Sequence, residues 1–429
     1  MTRTLITGAR IVDPDSGFDG KGDLLFDGDG RILDRAPRIE AEASVIYADG
    51  LTLIPGLIDM RVVIGEPGAE HKETFRSAGR AAVAGGITTM VMQPNADPVI
   101  DDSSLVDYVL RRAHDRSPAR ILPAAALTKG LKGELMSEIG LLCEAGAVMF
   151  SNGDAAIVDS RVMRRALAYS TAFGALVAHR PEDPFLARNA VMHEGELAAR
   201  LGLPGNPAAA ETIMAERDLM LAELTGARLM LDMISSSRTL ERLHAAKARG
   251  VDAAASVSVH HLALNEHAVM EGEGGYRTFA KLAPPLRRED DRRALGDAVA
   301  SGLIDVIVSG HDPRPAEDKR LPFDEAAFGA AALETLLPGA LTLHHSGAAP
   351  LIDIVRAMTL RPAQLLGLPQ GRLAPGAPAD LVLVDLDRPV RIEAEKLRSK
   401  TRNTPFDGRL LQGEAHMTWV AGKQVFAAS

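Results

Sequence analysis

Four side chains in this sequence are of types that hold and use a metal ion. Asp154, His179, Asp232 and His311 each stand just after a short apolar run, and carboxylates with imidazoles are donors for a hard or borderline cation. To act together they must converge on one geometry from four separate stretches of chain. Read singly, Asp154 and Asp232 are loop carboxylates, solvated or ion-paired, and His311 beside Asp312, like the pair His260-His261, is a hydrogen-bonded structural imidazole. The one cysteine, Cys143, lies in the run Ile139-Gly140-Leu141-Leu142-Cys143 and reads as a small packing hydrophobe with no disulfide partner.

The elements that would position these residues follow from periodicity. Between about 51 and 310, short β-branched runs alternate with longer segments of helical period, the pattern of βα units around a parallel sheet. Strand candidates fall at 57–60, 87–93, 121–125, 147–150, 175–178, 229–233, 252–257 and 304–309, with helical patterns such as 76–84, 105–114, 208–224 and 240–248 between them. Two further Ala- and Leu-rich segments, 165–172 and 325–337, are expected to be helical. Eight strands close a (β/α)8 TIM barrel, in which chemistry sits just after the strand ends. Pro204, Pro207, Pro284-Pro285 and Pro313-Arg314-Pro315 punctuate longer insertions on that side.

Both chain ends change idiom. Residues 1–50 show short alternating runs and the turn Asp27-Gly28-Asp29-Gly30, and the C-terminus repeats the pattern around 380–384 and 419–426. The expected α/β architecture is therefore a barrel over 55–364 beside a small composite β-sandwich domain assembled from 1–54 and 365–429.

On this scaffold, six separated motifs resemble the dihydroorotase branch of the amidohydrolase superfamily. They are Ile54-Pro55-Gly56-Leu57-Ile58-Asp59-Met60, Glu66-Pro67-Gly68, Gln93-Pro94-Asn95, His260-His261-Leu262, Pro284-Pro285-Leu286-Arg287, and the stretch Arg372-Leu373-Ala374-Pro375-Gly376-Ala377-Pro378-Ala379-Asp380-Leu381. The resemblance implies a cyclic amidohydrolase of pyrimidine biosynthesis with one or two zinc ions, and the same motifs place the changes that argue against that chemistry here. The family's His-x-His falls on Arg61 and Val63, which offer zinc no lone pair, and the arginine that grips a substrate carboxylate has become Gly65. A Ser/Thr-Asp-Asp-Gly run reads Ser151-Asn152-Gly153-Asp154, a metal histidine aligns with Met233, and the aspartate that serves as general base aligns with Gly310. The remaining histidine matches either His179 or Arg180, while Asn95 keeps a substrate-contacting position that a turn-forming asparagine also explains.

Zinc takes at least three protein ligands, so the resemblance implies a chain with no catalytic residues, metal or cofactor. It would be a non-catalytic dihydroorotase homologue, of the kind that serves as a structural partner of aspartate transcarbamoylase catalytic chains. The alternative is an active dihydroorotase or hydantoinase-like enzyme with zinc rebuilt on Asp154, His179, Asp232 and His311. A third reading has the vestigial pocket sensing a pyrimidine intermediate. In a barrel mouth that keeps its acids, Arg61 supplies replacement positive charge and is expected to contact Asp154 or Asp232.

Composition fits these readings and excludes others. With 429 residues, 46% hydrophobic and 24% charged, the chain can bury a large core in more than one structural unit. A net charge of −9 argues against nucleic acid as partner. Neither a signal peptide nor a membrane span is legible, so the expected location is the cytoplasm, with self-association left open.

Overall fold

In a computed structural model, which describes residues 3–272 and 274–428, the alternation becomes a parallel barrel. Its strands are Leu57–Val62, Ile87–Met92, Arg120–Ala126, Met149–Ser151, Leu176–His179, Arg228–Leu231, Ala253–Ser258 and Val306–Val308, each paired with the next in chain order. A Val62–His311 bridge, with the Val63 N–H donating to the His311 carbonyl at 2.8 Å, brings the eighth strand back to the first. Because helices cover the outside, the strands are buried on both faces and read as continuous apolar runs. Met60, Val91, Met149, Met230 and Val306 fill the interior, which is a packed core and not a pore.

The helices occupy the periodic segments. Phe75–Ala84 begins on a capping box in which the Thr74 side chain accepts from the Ser77 N–H and Ser77 reaches back to the Thr74 N–H. Ser103–Arg116, Ala208–Thr225 and Ser237–Ala248 follow the predicted spans, and Ser160–Ser170 covers most of 165–172. One expectation fails. Most of 325–337 is a loop, and the α-helix starts only at Leu336. Helical composition is overridden there by anchors: the Ala331 N–H donates to the Asn403 carbonyl at 2.7 Å, the Ala332 N–H to His311 Nδ1 at 3.0 Å, and Gly329 has φ +116°.

The chain ends pair into one eight-stranded sheet. Arg3–Asp13 is flanked by Phe18–Asp27 on one side and by Ser44–Tyr47 and Thr52–Pro55 on the other, and Thr52–Pro55 runs antiparallel to Leu381–Arg391. Both expected hairpins are present, Phe18–Asp27 with Ile32–Ala36 and Leu410–Val420 with Lys423–Ala427. Ile6, Leu24, Phe26, Leu383 and Trp419 form a separate apolar cluster under this sheet, with Phe26 edge-on to Trp419. No described helix is long and apolar enough to cross a membrane.

Candidate functional site

The pairing of the first strand with the second shifts register between Asp59 and Val62, and Arg61 comes up there at the barrel mouth. Its guanidinium, only 3% exposed, donates to Asp232 Oδ2 at 2.6 Å, Asp154 Oδ1 at 2.6 Å and Gln93 Oε1 at 3.2 Å. The charge contact expected from the sequence is thus made to both acids. Asp232 Oδ1 accepts in turn from Ser256 Oγ at 2.7 Å, so this buried carboxylate is occupied on both oxygens. Partial desolvation works to raise the Asp154 carboxyl, but the guanidinium groups of Arg61, Arg180 and Arg314 overcome it and hold it below the usual carboxylate range.

The four candidate donors do not assemble into a ligand set. His179 is committed on both ring nitrogens: Nε2 accepts the Ile157 N–H at 3.0 Å, and Nδ1 lies 2.6 Å from Asp218 Oδ2 on the helix Ala208–Thr225. That pattern puts the proton on Nδ1 and leaves no lone pair for a cation. His311 accepts the Ala332 N–H on Nδ1 and turns Nε2 towards the buried Glu73, 3.4 Å away. Asp154 and Asp232 are bridged by Arg61, whose positive charge stands between them. Among the described residues no group of three or more His, Cys, Asp or Glu is placed to hold a metal. In this geometry Asp154, His179, Asp232 and His311 are not arranged as a zinc ligand set.

Gly65 leaves no room for the arginine that the resemblance implies. A Cβ added at Gly65 would meet the Ala69 carbonyl oxygen at 2.1 Å, so the backbone itself excludes any side chain there. Gly65→Ala is expected to cost about 1–3 kcal/mol, read as a lower urea midpoint at unchanged slope. Gly310 has φ +65°, and its added Cβ would lie 3.2 Å from Ser258 Oγ and 3.3 Å from Met233 Sδ. Val63 and Met233 line the mouth with apolar atoms. Asn95 stands near Gly153, its buried Oδ1 without a hydrogen-bond partner.

Arg180, not His179, faces a mouth cavity of about 290 Å3, which it lines with Asp312, Arg314 and His260. Arg314 Nη2 donates to Asp312 Oδ2 at 2.5 Å. Burial outweighs that cation and lifts the Asp312 carboxyl above its usual range, opposite in sense to Asp154. His260 and His261 are held by Ser258 Oγ and the Pro285 carbonyl. Burial keeps both neutral, pushed down to about 3 and about 4, which agrees with a structural role. Only the prolines around Arg314 signalled its loop, and nothing local marked Arg180 as the inward-facing member of its pair.

A barrel with its mouth between long strand-end loops and a composite sheet from both termini is the architecture of amidohydrolases. Residues 208–425 match the Amidohydrolase family and residues 50–239 the Dihydro-orotase-like family. The chain is 36% identical over 426 residues to a dihydroorotase of Syntrophus aciditrophicus, covering 99% of each. It is 40% identical over 422 residues to one from Anaeromyxobacter dehalogenans, covering 98% of this chain and 97% of the relative. The L-hydantoinase (dihydropyrimidinase) of Arthrobacter aurescens superimposes with a TM-score of 0.88 at 25% identity, across 100% of this chain and 96% of that one. The chain belongs to the dihydroorotase-like amidohydrolase family.

Proposed function

We propose that this chain is a member of the family that no longer hydrolyses or closes a cyclic amide, and that it acts in pyrimidine biosynthesis as an assembly partner of aspartate transcarbamoylase catalytic chains. The observation that carries the reading is the Arg61 guanidinium bridging Asp154 and Asp232 at 2.6 Å each, where a cation-binding site needs free carboxylate lone pairs. His179 and Gly310 support it, one with its ring nitrogens spent and the other with no carboxylate to take a proton from water. The partner is carried by resemblance alone.

A second reading, an active dihydroorotase or hydantoinase-like enzyme, is favoured by 40% identity over nearly the full chain to proteins named dihydroorotase. It also draws support from Asp154 and Asp312, two carboxyls on one cavity shifted in opposite senses, as acid–base pairs are. Metal content and turnover separate the two. Protein purified in zinc-supplemented buffer is expected to retain far less than one metal per chain by inductively coupled plasma mass spectrometry. It should interconvert dihydroorotate and carbamoyl aspartate no faster than buffer does. About one zinc per chain with turnover would establish the second reading, whereas light scattering with purified aspartate transcarbamoylase catalytic chains should show a mixed particle under the first.

A further inference from the structure

Away from the mouth, this acidic chain gathers an unusual concentration of cations. Lys396, Arg398, Lys400 and Arg402 occupy alternate positions and are all exposed, while Leu397 and Ser399 between them are buried. Three of the four line an open cleft of about 760 Å3, whose other wall carries Arg76 and Arg80 from the helix Phe75–Ala84 and Arg116 from the end of Ser103–Arg116. Among the described residues Asp115 is the single acid lining it. Among the described residues Arg76, Arg80, Arg116 and Arg402 have no carboxylate within 4.0 Å, although the net charge of −9 leaves acids in excess elsewhere. Like charges one helical turn apart, as at Arg76 and Arg80, repel and are destabilising in the isolated chain.

Apolar side chains lie among the cations: Val83, Leu397, Pro118, Val425 and Phe426 share the lining, and the Arg398 guanidinium lies over the Phe426 ring at 5.1 Å. A free phosphate or a nucleic-acid backbone would use the cations and leave these apolar side chains unmatched. Cations interspersed with apolar side chains match a polypeptide in which carboxylates alternate with apolar side chains.

We propose that this cleft docks an acidic segment of a protein partner, in which Asp or Glu alternates with apolar residues. The cleft gives the assembly role a surface, but the inference stands on the cleft alone, since a chain with an active mouth would carry it unchanged.

The test is fluorescence anisotropy on the full chain with a labelled synthetic peptide of about twelve alternating Glu and Leu residues, its Lys-for-Glu counterpart serving as control. The Glu peptide should bind and the Lys peptide should not. Affinity should fall at least tenfold in Arg76→Glu/Arg80→Glu/Arg116→Glu, and should weaken steadily as salt is raised. Should that variant fail to fold by thermal melting, Lys396→Ala/Arg402→Ala on the opposite wall must give a loss of at least threefold. No binding, equal binding to variant and parent, or displacement by tripolyphosphate or an oligonucleotide at lower concentration than by unlabelled peptide would overturn the proposal. The metal and turnover measurements above read the mouth and are blind to this outcome.

Discussion

Arg61→Met is expected to destabilise the protein by about 3–5 kcal/mol, because it strands Asp232, 1% exposed, with a single serine hydroxyl as partner. Most of that loss comes from Asp232 and little from Asp154, whose side chain is 41% exposed and can be rehydrated. Removing both members of the buried pair should therefore behave differently. Arg61→Met/Asp232→Leu is expected to recover most of the stability, since apolar side chains of similar volume often replace a buried ion pair at little cost. Guanidinium chloride unfolding of the parent, the single and the double variants reads all three. A single-variant loss below about 1 kcal/mol would mean that Arg61 is not the group that holds the mouth together.

The second large effect lies two residues earlier. Asp59 is fully buried, and burial pushes its carboxyl up to about 6 against weaker opposing hydrogen bonds. One oxygen accepts the N–H groups of Arg61 and Ser309 at 3.1 and 3.2 Å, while the other has no partner among the described residues. A carboxyl whose folded pKa lies above its unfolded value binds its proton more tightly in the native state. Its contribution is therefore present at low pH and is lost as pH rises through the folded value. Asp59→Asn keeps an acceptor for both N–H groups and removes the ionisation. Relative to the parent, its stability should be nearly unchanged near pH 4. It should rise through pH 5–6 and level off at about 3 kcal/mol above about pH 7, from a shift of about two pKa units. A difference that stays flat from about pH 4 to about pH 8 would show that Asp59 is ionised throughout.

These two residues also mark how far the sequence could be read. The barrel was legible because its strands are buried on both faces and its helices on one, so that the two periods are written into the apolar pattern. The contact of Arg61 with Asp154 and Asp232 was legible too, because a cation among acids at converging strand ends has few other partners. The state of His179 was not: its proton is fixed by Asp218, which lies 39 residues away and is aimed by a helix whose face no local signal reports. The loop at 325–337 failed for the same kind of reason, since its composition is helical and the contacts that override it come from His311 and Asn403. Alternating cations at 396–402 are plain in the sequence, but only the fold sets Arg76, Arg80 and Arg116 across from them.

Gly65 bears on more than stability. The Ala69 N–H donates back to the Gly65 carbonyl at 2.5 Å and closes the turn after the first strand. An arginine at this position, as the resemblance implies for an active site, would drive its Cβ into the Ala69 carbonyl oxygen before the guanidinium reached any ligand. Side chain and turn are therefore locked together: installing a carboxylate clamp here takes a second change that opens the turn, and no single substitution supplies both.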